Sequence, residues 1–270
     1  MSPIYRAMSS TPVCLITGAS SGIGAALARE FARHGHTLVL TARREAELER
    51  LADEIARSGG PRPHVLAADI ATEGGADALQ RGLAERGLEV AILVNNAGFG
   101  LLGEAARLDT AQQLSMIDLN VRALTDLALR FLDSVTRHKG GILNVASIAG
   151  FLPGPGMTVY HATKAYAVSF SEALHAELAP KGVKVCALCP GPVPTGFLSR
   201  AGIPHDYFPR FLARSADRVA REGYAGFMRG NRVVVPGLPN RVLTLLPRII
   251  PRRLIADTSA WRWRRSSRSP

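Results

Sequence analysis

The first unit of the chain is an apolar strand, a glycine-rich turn and a helix, and this unit limits the folds open to the rest. Residues 13–17 read Val-Cys-Leu-Ile-Thr, and residues 25–33 have the composition of a helix. The turn between them contains Gly18, Gly22 and Gly24. Glycines here let the backbone approach a pyrophosphate, and the helix N-terminus presents free N–H groups to it. The unit predicts a dinucleotide site; the alternative is a glycine turn without a ligand.

Apolar segments of strand length then alternate with helical segments, which indicates an α/β domain. The predicted strands after the first are residues 37–41, 63–68, 90–94, 141–146, 183–188 and 232–236, and residues 110–137 are predicted as one long helix. Neither a second domain nor an internal repeat is visible. We therefore expect an N-terminal extension at residues 1–11, one domain at 12–237 and a C-terminal extension at 238–270.

Tyr160 and Lys164 are four residues apart in a segment with helical apolar spacing, so the phenol and the ammonium share one face. A free tyrosine has a pKa of about 10 and is a poor base near neutrality. A neighbouring cation favours the phenolate, so we expect Lys164 to lower the pKa of Tyr160. Ser147 follows a predicted strand and is expected at the sheet edge, where ligands of open α/β sheets bind. The three residues together predict acid–base chemistry at this edge.

These residues resemble the short-chain dehydrogenase/reductase family, over about residues 11–235. The matching motifs stand in the family's order and spacing: residues 17–24, 95–98 and 190–195, with Asn120, Ser147, Tyr160 and Lys164. The resemblance implies an α/β fold, a single doubly wound, Rossmann-type domain with a central parallel sheet. It also implies hydride transfer between NADP(H) and a carbonyl or alcohol substrate, which we expect to be apolar.

The resemblance assigns catalytic roles to Asn120, Ser147, Tyr160 and Lys164. It implies that Ser147 donates a hydrogen bond to the carbonyl oxygen and that Tyr160 gives this oxygen its proton. It implies that Lys164 lowers the pKa of Tyr160 and binds the nicotinamide ribose. Asn120 is implied to lie in a distorted helix and to hold a water toward Lys164. No metal is expected.

The resemblance also implies which residues contact the cofactor, and it leaves residues of about 197–226 as the variable substrate region. The expected contacts with NADP(H) are Gly18, Ser20, Ser21, Gly22, Ile23, Gly24, Arg43, Asp69, Ile70, Asn96, Ala97, Gly98, Tyr160, Lys164, Pro190, Gly191, Val193 and Thr195.

The end of the second predicted strand favours NADP(H) over NAD(H). An acid here binds the ribose 2′-hydroxyl of NAD, but Ala42 takes that position and Arg43 follows. A guanidinium fits a 2′-phosphate by bidentate hydrogen bonding. The alternative is that Arg43 and Arg44 only open the next helix, although cations are disfavoured at a helix N-terminus. The role of Arg44 stays open.

The C-terminal extension is the part least like the family, and it carries most of the net charge of +11. From residue 229 onward there are ten arginines and one acid, Asp257. Leu243, Leu246 and Ile250 share one helical face, and residues 261–265 mix tryptophan with arginine, as membrane-interface segments do. An anionic membrane surface is therefore one expected partner. The alternatives are that the stripe covers the substrate cleft or a partner subunit, or that the chain is a solvated tail from about Asp257.

Other function classes are less favoured. A catalytically weak nucleotide-sensing module would not need Ser147, Tyr160 and Lys164 together, and a nucleic-acid binder is supported by charge alone. The three cysteines do not form a disulfide framework. No signal peptide and no run of about 18 apolar residues is visible, so we expect a cytoplasmic protein, with the inner face of the membrane as the surface that the extension would contact. The resemblance implies a homo-oligomer, either a dimer or a tetramer.

Overall fold

The computed structural model describes residues 10–204 and 207–266, so residues 1–9 of the predicted N-terminal extension lie outside the described part. Seven strands form one sheet, and their bounds are β1 (Thr11–Thr17), β2 (Leu38–Thr41), β3 (His64–Val65), β4 (Leu88–Asn95), β5 (Gly141–Val145), β6 (Lys184–Leu188) and β7 (Val233–Val234). The strand order is β3-β2-β1-β4-β5-β6-β7, and every neighbouring pair is parallel. This confirms the doubly wound parallel sheet. The order reverses between β1 and β4, which opens a crevice beyond their carboxyl ends.

Helices cover both faces of the sheet, because alternate residues of each strand are apolar and buried on opposite sides. The helices are α1 (Gly22–Arg33), α2 (Glu45–Arg57), α3 (Gly75–Ala84), α4 (Thr110–Ile117), α5 (Leu124–Arg130), α6 (Leu132–Arg137), α7 (Thr158–Leu178), α8 (Gly196–Arg200), α9 (Ala216–Met228), α10 (Leu238–Leu245) and α11 (Arg252–Ser266). Helices α1, α2 and α9 pack on one face of the sheet. Helices α3, α5, α6 and α7 pack on the other.

The long helix predicted over residues 110–137 is divided. A π-helical turn, Asp118–Ala123, separates α4 from α5, and Phe131 leaves helical geometry between α5 and α6. Strands β3 and β7 are each two residues long, shorter than the segments predicted at 63–68 and 232–236. Both lie at the edges of the sheet, where a strand has only one neighbour to extend it.

The C-terminal extension folds back onto the domain as α10, a one-turn helix (Leu246–Arg248) and α11. Among the residues described, no helix combines the length and apolar character needed to cross a bilayer.

Candidate active site

The carboxyl ends of the strands open into one large cavity of about 1280 Å³. Of the predicted cofactor contacts, all except Gly24 line it, and so do Ser147, Tyr160 and Lys164. Gly24 and Asn120 do not line the cavity. Gly24 packs against Gly18, and Asn120 is hydrogen-bonded to Phe99 and Thr163. The fold therefore brings the separate sequence motifs to one place.

The glycine turn after β1 is held by hydrogen bonds from the turn after β4. The side-chain Nδ2 of Asn96 donates to the carbonyl oxygens of Thr17 and Gly18, at 2.9 and 3.2 Å. A Cβ on Gly24 would lie 2.3 Å from the Gly18 oxygen, so only glycine allows α1 to approach the turn this closely. The turn leaves the N-terminus of α1 beside the cavity, which fits the phosphates of a dinucleotide.

Two arginines stand at the end of β2, beside the outer part of the cavity. The Arg43 guanidinium is exposed, and its Nη1 lies 3.8 Å from Oδ2 of Asp69. The Arg44 Nη2 donates to the hydroxyls of Ser20 and Ser21, both at 3.0 Å. Arg44, whose role the sequence left open, therefore lies against the glycine turn, whereas Arg43 lies toward Asp69, and both cations border the cavity.

Tyr160 and Lys164 lie one turn apart on α7 and are buried, with 9% and 5% of their surface exposed. The Lys164 Nζ donates to the carbonyl oxygen of Val145, at the end of β5, over 2.9 Å. It lies 5.8 Å from the centroid of the Tyr160 ring. Ser147, two residues beyond β5, shares a hydrogen bond with Tyr160. The serine, the phenol and the ammonium thus form one cluster in the middle of the cavity wall.

Burial dominates the electrostatics of this cluster, which corrects one expectation. Burial raises the pKa of Tyr160 to about 12, and the hydrogen bond with Ser147 opposes the rise. Burial lowers the pKa of Lys164 to about 8. The sequence predicted a lowered pKa for Tyr160. The pKa of Tyr160 is raised instead because removal from water disfavours the phenolate more than the hydrogen bond with Ser147 favours it.

Asn120 lies in the π-helical turn and is buried. Its Nδ2 donates to the Phe99 oxygen at 2.9 Å and to Oγ1 of Thr163 at 3.1 Å. Its Oδ1 accepts from the Phe99 nitrogen at 3.1 Å. Both amide protons are thus used, and a water could bond only to the remaining lone pair of Oδ1. The amide joins the segment after β4 to α7, which holds the wall behind Lys164.

The loop of residues 190–195 closes the cavity next to β6. The Pro190 oxygen accepts from the Ile148 nitrogen at 3.0 Å, and the Thr195 side chain caps the start of α8. Asn240, buried in α10, packs against Gly191 and donates to the oxygens of Leu212 and Pro236, at 3.1 and 2.9 Å. The C-terminal extension therefore braces the loop expected at the nicotinamide. Asn240 was missed in the sequence, where the only signal was a polar residue within an apolar segment.

Of the substrate region predicted at about residues 197–226, only the first half lines the cavity. The described lining residues there are Phe197, Leu198, Arg200, Ile203, Pro204, Tyr207, Phe208, Pro209 and Leu212. Helix α9 instead packs against α1 in the core, because its apolar face, which includes Val219 and Phe227, is buried there. The missing part of the wall comes from the C-terminal extension.

The C-terminal extension forms a roof over the cavity, defined here as residues 238–266. Leu243, Leu246 and Ile250 line the cavity, together with Leu254 of α11. Farther along α11, the Trp263 ring packs on Gly156, where a Cβ would lie 2.6 Å from ring carbons. Of the alternatives left open by the sequence, the structure therefore places the leucine–isoleucine stripe over the cleft, and the chain beyond Asp257 continues as helix to residue 266.

His161, beside Tyr160, holds the loop that meets the roof. Its Nδ1 donates to the Leu152 oxygen at 2.7 Å, and its ring packs on Gly154. Cys14, Cys186 and Cys189 are buried free thiols. Within residues 10–204 and 207–266, no group of three or more His, Cys, Asp or Glu side chains is placed so that it could hold a metal ion.

Comparisons with known proteins identify the family of this chain. A family model described as short chain dehydrogenase matches residues 12–203. The 17-beta-hydroxysteroid dehydrogenase type 3 of Rattus norvegicus is 31% identical over 254 residues, which cover 92% of this chain and 79% of the rat protein.

Two solved structures match nearly the whole chain. A short-chain dehydrogenase from Sphingobium yanoikuyae in complex with NADPH is 34% identical, with a TM-score of 0.77 and coverage of 96% of this chain and 97% of that chain. The bulky-bulky ketone specific alcohol dehydrogenase of Comamonas testosteroni is 30% identical, with a TM-score of 0.73 and coverage of 97% and 96%. The chain belongs to the short-chain dehydrogenase/reductase family of oxidoreductases, which act on alcohol and carbonyl groups.

Proposed function

We propose that this protein reduces the carbonyl group of bulky, apolar compounds, with NADPH as the hydride donor. The observation that carries the proposal is the single cavity, which joins the glycine turn, the Ser147–Tyr160–Lys164 cluster and an apolar roof. One end fits a dinucleotide and the other fits an apolar molecule, with the acid–base cluster between them.

The proposed chemistry needs a proton donor beside the carbonyl oxygen. NADPH supplies the hydride when it is bound, and the protein orients both reactants. Ser147 donates a hydrogen bond to the carbonyl oxygen as negative charge develops on it. Tyr160 gives this oxygen its proton, and its raised pKa keeps the phenol protonated near neutrality. Lys164 lies one helical turn away, where its ammonium stabilises the phenolate that remains.

The residues present fit a nicotinamide dinucleotide, and their charges favour the phosphorylated form. Glycine at positions 18, 22 and 24 leaves these points of the turn without a side chain, so the backbone can approach a pyrophosphate. Arg43 and Arg44 border the same end of the cavity, where a 2′-phosphate would accept hydrogen bonds from a guanidinium. The solved relative from Sphingobium yanoikuyae, described in complex with NADPH, supports this preference.

The shape and composition of the roof support a bulky apolar substrate. Its lining side chains are mostly aliphatic, and the cavity is large enough for a cofactor and a second molecule. Two relatives whose matches cover 92% and 97% of this chain, and so reach into the roof, are named for a hydroxysteroid and for bulky ketones. We propose ketones of this size and polarity as the substrate class.

The test is NADPH oxidation by the purified protein with ketones of increasing size, repeated with NADH. The proposal predicts turnover of bulky apolar ketones, faster with NADPH than with NADH at equal concentrations. Binding of NADPH without turnover of any ketone or oxidation of any alcohol would instead favour the nucleotide-sensing alternative.

We also propose a homo-oligomer that uses the surface of α4, α5 and α7. Leu114, Ile117, Leu129 and Tyr166 are exposed on these helices. Apolar side chains grouped on one surface are typical of subunit interfaces. Sedimentation velocity would test this: the proposal predicts a dimer or tetramer for the wild type and a smaller species for Leu129→Glu.

A further inference from the structure

The roof has a second apolar face, which points away from the cavity. Leu238, Val242, Leu245 and Ile249 are 72%, 53%, 49% and 84% exposed, and we call them the outer stripe. None of the four lines the cavity, whereas Leu243 and Ile250, each next to a member of the stripe, do. The roof is therefore apolar on both sides.

The outer stripe is a surface and not a set of scattered residues. Leu238, Val242 and Leu245 are four and three positions apart on α10, the spacing of one helical face, and Ile249 follows the one-turn helix after α10. Phe211, 63% exposed, adjoins Leu212, whose oxygen accepts a hydrogen bond from Asn240 of α10. Single exposed apolar side chains are ordinary, but a contiguous group marks an interaction site.

The chain segment that contains the outer stripe has a strong excess of positive charge, although Glu222 accepts a hydrogen bond from the Gly237 nitrogen at its start. Between Glu222 and Asp257 the sequence has six arginines and no acid. Among them, Arg241 of α10 and Arg253 of α11 are exposed; the Arg241 Nε donates to the Val235 oxygen, and the Arg253 Nε lies 3.9 Å from Oδ2 of Asp257. A row of aliphatic side chains flanked by guanidinium groups combines the two features by which proteins bind an anionic bilayer surface.

We propose that the outer face of the roof docks on an anionic phospholipid membrane, with the outer stripe at the headgroup boundary. A second copy of the chain fits this face less well, because a two-fold contact would bring two basic segments together. A nucleic acid would bind the arginines but would not cover the aliphatic stripe. The membrane-contacting residues are thus different from the Leu243, Leu246 and Ile250 stripe, which lies over the cavity.

The test is co-sedimentation of the full chain with vesicles of phosphatidylcholine, with and without phosphatidylglycerol. The wild type is expected to bind the anionic vesicles, to bind the neutral ones at least roughly ten-fold more weakly, and to lose affinity as salt is added. The double variant Val242→Gln with Ile249→Gln should lose roughly ten-fold or more of this binding, because it removes apolar burial at the headgroups. Leu238→Gln with Leu245→Gln should do the same.

The matched control is Leu243→Gln with Ile250→Gln, which changes the neighbouring residues on the cavity side. This variant should keep wild-type vesicle binding, and the two outer variants should keep wild-type circular dichroism and ketone reduction. A wild type that does not bind anionic vesicles would overturn the proposal. So would equal losses from the inner and outer variants. Loss of the oligomer in the outer variants, without vesicle binding by the wild type, would assign the stripe to a subunit interface instead.

Discussion

Lys164 is the residue whose environment differs most from what its neighbours in the sequence imply. The four-residue spacing from Tyr160 predicted a cation that lowers the phenol's pKa. In the folded chain the ammonium is buried and donates to the Val145 oxygen, and its own pKa is lowered to about 8. Sequence spacing gives the shared helical face, but it does not give the depth at which that face is buried, and depth determines the sign of both pKa changes.

The burial of Lys164 predicts a stability cost that depends on pH. Below about pH 8 the lysine is charged in both the folded and unfolded states, so the cost is fully present. Between about 8 and the ordinary lysine value of 10.5, the folded state gives up its proton first and the cost disappears. At about 1.4 kcal/mol for each pKa unit, the cost near pH 7 is roughly 3 kcal/mol, less whatever the Lys164–Val145 hydrogen bond returns.

The variant Lys164→Met should therefore be inactive but more stable near neutral pH. Urea unfolding at pH 7 and at pH 10 measures the free energy of unfolding of both proteins. The difference between them should favour Lys164→Met at pH 7 and shrink at pH 10. Comparing the two proteins at each pH cancels the ionisation of Cys14 and Cys186, because burial alone raises the pKa of these thiols and Lys164 does not affect it. A difference that is independent of pH would show that Lys164 is not charged at a cost in the folded state.

Arg43 gives a second prediction at the scale of one residue. Arg43→Ala should raise the KM for NADPH about ten-fold. A charged hydrogen bond contributes roughly 1.5–3 kcal/mol, and solvent screening reduces this energy at an exposed position. The KM for NADH should barely change, because NADH has no 2′-phosphate. Arg57→Ala, an exposed arginine at the end of α2, is the control. Equal increases for both cofactors, or a wild type that prefers NADH, would remove Arg43 from cofactor selection.

At the scale of elements, the roof supplies a wall of the cavity at the end proposed for the substrate. Ile250 lines the cavity, whereas its neighbour Ile249 is 84% exposed. Ile250→Trp should lower kcat/KM for a bulky ketone by roughly ten-fold or more, since overpacking at a fitted wall costs about 1–3 kcal/mol. It should leave a small ketone nearly unaffected.

Ile249→Trp is the matched control, measured without vesicles, and it should leave both ketones unaffected. The steady-state kinetics of the two variants would distinguish a fitted wall from a loosely placed tail. If Ile250→Trp lowered kcat/KM equally for the small and the bulky ketone, the roof would affect the site through its general folding and not through substrate fit.

The sequence predicts the strands of the sheet and the helices that cover it well, because buried parallel strands are continuous apolar runs between helical segments. It predicts less well where tertiary contacts decide. The π-helical turn at Asn120 follows from hydrogen bonds to Phe99 and Thr163, which are distant in sequence. The stripe of Leu243, Leu246 and Ile250 is visible in the sequence, but periodicity alone does not say whether a cleft, a membrane or a subunit covers it.

At the scale of the whole molecule, the C-terminal extension holds most of the net positive charge and also lines the cavity. The basic extension is the same segment that closes the cavity at the end proposed for the substrate. The motifs predicted that the residues expected at the cofactor would come together, because each motif follows a strand and all strands end at one edge. The lining of the other end was predicted only in part, since some of it comes from residues beyond the family's pattern.

The central claim is that Tyr160 is the proton donor for carbonyl reduction by NADPH. The most direct measurement is kcat for a bulky ketone in the wild type and in Tyr160→Phe, with NADPH binding measured separately by fluorescence. We expect kcat to fall roughly 10²-fold or more, because general acid catalysis is removed while the ring stays in place, and the Kd for NADPH to stay within about two-fold. A Tyr160→Phe protein that keeps more than about a tenth of the wild-type kcat would contradict it.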